Sequence, residues 1–64
     1  MKIKNILELI NDVKLFIEIK EKNSGASFGF YNKNDVIISE LLEKEIVAIN
    51  VQYINGKRVL VLNF

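Results

Sequence analysis

The side chains able to do chemistry in this 64-residue chain are eight acids, nine cations, a few serines and two tyrosines, with no His and no Cys. That inventory removes thiolate and imidazole metal ligands, disulfides, and Ser-His or Cys-His nucleophiles. The acids are Glu8, Asp12, Glu18, Glu21, Asp35, Glu40, Glu43 and Glu45. A carboxylate-pair hydrolase or a hard-cation site needs at least two of them converging in a cleft. Glu40 and Lys44 are instead spaced as an i, i+4 ion pair, so this acidic run reads as the solvated face of a helix. Asn32-Lys33-Asn34-Asp35 is rich in oxygen ligands, but it lacks the glycine and the terminal bidentate Glu of a calcium loop. Ser24, Ser27 and Ser39 lie in no G-x-S-x-G elbow, and nothing in the spacing points to a Ser-Lys dyad. Gly25, Gly29 and Gly56 are too scattered to cradle a phosphate. The chain reads as a non-enzyme with no cofactor, no metal site and no small-molecule substrate.

Charge is nearly balanced at a formal +1, which does not indicate a globally basic nucleic-acid binder or a polybasic membrane anchor. A local nucleic-acid surface remains the alternative function. Its candidate contacts are Tyr31, Lys33, Lys57 and Arg58, with sheet aromatics to stack bases and hairpin cations to meet phosphates. The N-terminal apolar stretch is interrupted by Glu8 and ends at Asn11-Asp12, too short and polar for a signal peptide. No run reaches the roughly 18 apolar residues of a membrane span. A cytoplasmic setting is expected, consistent with the missing cysteines.

Elements that would hold these side chains follow from periodicity. Ile3, Ile6, Leu7 and Ile10 mark one face of a helix over 3–11. From Val13 the period becomes two, with Val13, Leu15, Ile17 and Ile19 on one face of a strand and Phe16 out of place on the other. Residues 21–25 form a polar loop, and Ala26, Phe28 and Phe30 then alternate along a second strand. Gly29 in its middle signals a bulge or a close approach. A short helix is expected somewhere in 35–44. The alternative there leaves Val36-Ile37-Ile38 extended, with Ser39 capping a single turn.

Asn55-Gly56 is the strongest two-residue hairpin signal, because both positions of a type I′ turn need positive φ. Counting back from it pairs Ile54 with Lys57, Tyr53 with Arg58, Val51 with Leu60, Ile49 with Leu62 and Val47 with Phe64. The other face pairs Gln52 with Val59, Asn50 with Val61 and Ala48 with Asn63. The expected fold is a single small α+β domain over 1–64. It has a four-stranded antiparallel sheet in the order α-β-β-α-β-β, one main helix and one short one. The expected core is Ile6, Leu7, Ile10, Leu15, Ile17, Phe28, Phe30, Leu41, Val47, Ile49, Val51, Leu60 and Leu62.

One helix covers one sheet face, yet apolar groups occur on both. Phe16, Ala48, Val59 and Val61 fall on the face away from the first helix, and Phe64 ends a last strand able to act as a free edge. Those five residues are the candidate interface. A domain this small buries only about 60% of its unfolded surface, so a partner that completes the core is expected. The partner is a second copy, another protein, or both.

Ile6-Leu7-Glu8-Leu9-Ile10, the strand over 13–19, and Leu41-Leu42-Glu43-Lys44-Glu45-Ile46-Val47 leading into a closing hairpin resemble short accessory proteins. Those proteins are encoded by phages, prophages and other mobile elements of low-GC bacteria. The resemblance implies an accessory role through protein binding, of the counter-defence or anti-CRISPR kind, and transfers no functional residue.

Overall fold

The computed structural model describes residues 1–36 and 38–64. Helix α1 (Ile3–Leu9) leads to strands β1 (Phe16–Lys20) and β2 (Ser27–Tyr31), a 3-10 turn (Lys33–Asp35) and helix α2 (Ser39–Leu42). Strands β3 (Ala48–Ile54) and β4 (Lys57–Asn63) complete the chain. The expected small α+β domain with four strands and two helices is present, with a 3-10 turn inserted before the short helix. Val36 and Ile38 both have extended backbone. The alternative of a continuous extended Val36-Ile37-Ile38 depends on Ile37, which lies outside the described residues.

The sheet order is β2-β1-β4-β3, and the sheet is mixed rather than wholly antiparallel. Strands β1 and β2 are antiparallel, as are β3 and β4, but β1 and β4 run parallel from Phe16↔Val59 to Lys20↔Asn63. The same parallel track continues where Phe64 N–H donates to Lys20 O at 2.9 Å and Lys22 N–H to Phe64 O at 2.9 Å. The composition of the last strand explains why it lies inside. Val59-Leu60-Val61-Leu62 is apolar at every position, the pattern of a strand buried on both faces. Strand β3 interleaves Asn50 and Gln52 with its apolar residues and is left at the edge. The final strand is therefore not the free edge expected from sequence.

The helices cover one face of the inner strands. Ile3 and Leu7 of α1, Val36 and Leu41 pack on Ile17, Ile19 and Leu62, all buried. Ile6, Ile10, Leu42, Ile46, Leu60 and Phe64 close the margins of this cluster. Helix α1 is tied to the chain before β3: Ile3 N–H donates to Lys44 O at 3.0 Å, and Ile46 N–H donates to Met1 O at 2.8 Å. Lys2 and Lys4 add ion pairs to Glu43 at 2.7 and 2.8 Å. Those two ammonium groups, Lys2 first, donate hydrogen bonds to the carboxylate and lower its pKa from 4.5 to about 2.

Five expected core assignments change. Ile49 and Val51 of β3, and Val47 just before it, are exposed, because seven- and four-residue helices reach over β1 and β4 but not over the edge strand. Phe30 is exposed on the opposite face, where it stands in register with Glu18. Phe28 is also exposed, although its ring packs against Phe64, tilted by 46° with centroids 5.5 Å apart. A shift of register between Glu18 and Lys20 and the φ of +110° at Gly29 give β2 the bulge that its glycine suggests.

Candidate interaction surface at the sheet edge

Strand β3 has β4 on one side and, among the described residues, no strand on the other. In a two-residue hairpin the pair flanking the turn is hydrogen-bonded, and bonded pairs then alternate along the ladder. With Ile54↔Lys57 at the turn, Gln52↔Val59, Asn50↔Val61 and Ala48↔Asn63 share that character. The N–H and C=O groups of Ile49, Val51 and Tyr53 consequently point outward, away from β4. Their side chains alternate with those of Asn50 and Gln52 and stand on the helix side of the sheet. Beyond the reach of α1 and α2 they form a row with Val47: Val51 is 55% exposed and Tyr53 68%.

Natural edge strands are usually guarded by a charge, a proline, a bulge or brevity. Strand β2 is five residues long and carries the bulge at Gly29. Strand β3 has seven residues, AINVQYI, with no charge and no proline. The two edges of this sheet thus differ, and β3 is the one open to a further strand. This is legible in part: the hairpin pattern contains the alternation of Ile49, Val51 and Tyr53, but pairing with Leu62 and Leu60 on one apolar face points Ile49 and Val51 to the core and says nothing of how far the helices reach.

The residues expected at an interface are not gathered on one open surface. Val59 and Val61 lie on the face away from the helices, as expected, yet they are 3% and 1% exposed. Each is a short side chain on an inner strand with longer neighbours, Phe16 and Gln52 flanking Val59, and Glu18 and Asn50 flanking Val61. Ala48 is half-buried, and Phe64 belongs to the helix side, beside Phe28 and under the Lys44 ammonium at 5.4 Å. Phe16 is exposed and packs beneath the Lys57 ammonium at 5.2 Å. Phe16, Phe30, Ile54, Lys57 and Val59 frame a shallow groove of about 260 Å³ on that face. Glu18, buried next to it, accepts a hydrogen bond from Ser27 Oγ at 2.7 Å.

The four candidate nucleic-acid contacts are also dispersed. Tyr31 donates its hydroxyl to Phe28 O at 2.6 Å, and Lys33 Nζ donates to Ile10 O. Lys57 and Arg58 are adjacent in a strand and therefore project to opposite faces. Lys57 lies over Phe16, while the Arg58 guanidinium lies 6.0 Å from the Tyr53 ring centroid. What joins them is an open cleft of about 480 Å³ between the α1–β1 loop and the hairpin, lined also by Asp12, Lys14, Leu15 and Gly56. Sequence reading missed Lys14 and Asp12 there, since only the parallel β1–β4 pairing brings the loop to the hairpin.

Among the described residues no three His, Cys, Asp or Glu side chains form a group able to hold a metal ion. Among them, too, no helix is long and apolar enough to cross a membrane. Comparison with family models, with curated proteins and with solved structures finds no match to the chain.

Proposed function

We propose that this chain is a non-enzymatic protein-interaction module that binds by adding a strand to the β3 edge. The observation that supports this reading most directly is the seven-residue, uncharged edge with its uncovered apolar row Val47, Ile49, Val51 and Tyr53. Strand addition draws affinity from main-chain hydrogen bonds and specificity from alternate side chains. The outward amides of Ile49, Val51 and Tyr53 supply the first, and their exposed side chains the second. A counter-defence accessory role of the kind implied by the resemblance to mobile-element proteins would act through such a contact.

The reading is tested by using wild type and Val51→Lys as baits in parallel in lysate of the source organism. A partner retained by wild type and lost by the variant supports it. Equal retention by both baits contradicts it. Nucleic acid is the second reading, favoured by one observation: Lys14, Lys57, Arg58, Phe16 and Tyr53 meet around a single cleft. Mobility shift of single- and double-stranded DNA and RNA at low salt tests it, with loss of the shift in Lys57→Glu/Arg58→Glu as the expected result. No shift with wild type removes it.

A further inference from the structure

We propose that the occupant of the β3 edge is a second copy of this chain. The two β3 strands pair antiparallel about a two-fold axis at Val51 and join two four-stranded sheets into one of eight strands. The proposal rests on the edge-docking reading above and names its partner.

The pattern of the strand is self-complementary about Val51. Two-fold pairing places Val51 opposite Val51 of the second copy, Ile49 opposite Tyr53, and Asn50 opposite Gln52. One face of the junction is then apolar throughout, with a β-branched residue beside an aromatic one, a favourable cross-strand pair. The other face sets side-chain amides against each other, and each amide both donates and accepts. Identical strands that carry a charge near the axis oppose it with the same charge. Ala48–Ile54 has none, so nothing in the strand repels its own copy.

The pairing residues are those whose backbone groups are free. With the outward N–H and C=O of Ile49, Val51 and Tyr53 facing their equivalents, Val51 forms a hydrogen-bonded pair with itself. The same contact also closes. Each chain has one open edge, because β2 is short and bulged. An isologous contact consumes that edge in both copies, so assembly stops at two instead of growing into a fibre. A standard interface takes about 800 Å² from each partner, and the whole surface of this chain is 4266 Å². A single seven-residue edge gives less than the standard area. Dissociation at micromolar concentration is therefore expected, and the tests below span that range.

The chain has no cysteine, so Val51→Cys introduces one thiol per copy at the axis. Opposed Cα atoms of a hydrogen-bonded antiparallel pair lie about 5.5 Å apart, within disulfide reach. Ile49→Cys is the control, because equivalent residues there are separated by about four strand residues, or roughly 13 Å. Under mild oxidation with diamide, Val51→Cys is expected to give a covalent dimer and Ile49→Cys is not. Cross-linking of the two at equal rates overturns the proposal.

Light scattering across a concentration series provides the second arm. Wild type is expected to shift from one chain to two, while Val51→Lys and Val51→Glu each remain single at every concentration. An equimolar mixture of the two variants is expected to recover the dimer, because Lys then opposes Glu. Circular dichroism verifies that each variant is folded. A wild type that stays monomeric to several hundred micromolar overturns the second copy as occupant, as does a Val51→Lys protein that still dimerises. A monomeric wild type whose bait still captures a partner lost by Val51→Lys would overturn this proposal alone. Equal capture by both baits would overturn edge docking itself.

Discussion

Leu62 and Ile49 stand directly opposite in the β3–β4 ladder, on the same face of the sheet, yet the structure assigns them very different energies. Leu62 is 0% exposed and sits in the core beside Ile17 and Ile19, whereas Ile49 is 47% exposed. Truncating a fully buried leucine removes its transfer energy and leaves a cavity, so Leu62→Ala should cost about 2–5 kcal/mol. At roughly 0.05–0.15 kcal/mol per residue, a chain of this length has only about 3–10 kcal/mol in total. Ile49→Ala removes a side chain that is half in water and leaves no enclosed void. Its cost in the isolated chain is about half of full burial, or about 1 kcal/mol. Urea unfolding followed by far-UV circular dichroism on dilute protein measures both. Equal losses for the two variants would refute the reasoning, because they would mean that the helices cover β3 after all. At high protein concentration the Ile49→Ala deficit should grow if the proposed second copy sets its Tyr53 against the same side chain.

Two further outcomes follow from local geometry. The Glu43 carboxylate, held at about 2 by hydrogen bonds from Lys2 and then Lys4, has a folded pKa below its ordinary value of 4.5. Its contribution to stability is therefore present above about pH 4.5 and lost as pH falls through about 2. Urea midpoints measured across that window should fall more steeply for wild type than for Glu43→Gln, and the difference should shrink in high salt, because these groups are exposed. At Gly29 the φ of +110° is one that side-chain-bearing residues rarely adopt, and a Cβ there would lie 3.3 Å from the Tyr31 hydroxyl oxygen. Gly29→Ala should lower stability by about 1–3 kcal/mol, read from the same urea titrations. A neutral substitution would show that the bulge is not needed.

Local signals carried the sequence reading a long way. Asn55 and Gly56 have φ of 52° and 78°, as the type I′ turn requires, and all seven ladder pairs from Ile54↔Lys57 to Ala48↔Asn63 fall where counting back from that turn places them. The first helix, the bulged second strand and the short second helix were legible for the same reason, since periodicity, glycine and turn chemistry act over a few residues. The parallel contact of β1 with β4 was not, because it joins residues some forty positions apart and no local signal encodes it. One clue was present: Val59-Leu60-Val61-Leu62 has no polar face, and a strand apolar on both sides belongs in the interior. Hairpin register with a single covering helix puts Ile49 and Val51 in the core and leaves Val59 and Val61 uncovered on the far face. The structure reverses both pairs. The surplus apolar surface inferred from sequence is real, but it lies on β3, on the helix side, and not on the far face of β4.

Completion of the β3 edge by another strand, as proposed, is read residue by residue by backbone amide hydrogen exchange. The amides of Asn50 and Gln52 already point at β4 and should be protected at every protein concentration. Those of Ile49, Val51 and Tyr53 should exchange rapidly in dilute protein and become protected as concentration rises through the dimer range. Rapid exchange of these three at all concentrations, with Asn50 and Gln52 still protected, would rule out strand addition by a second copy, because the edge would then stay open however much of the chain was present.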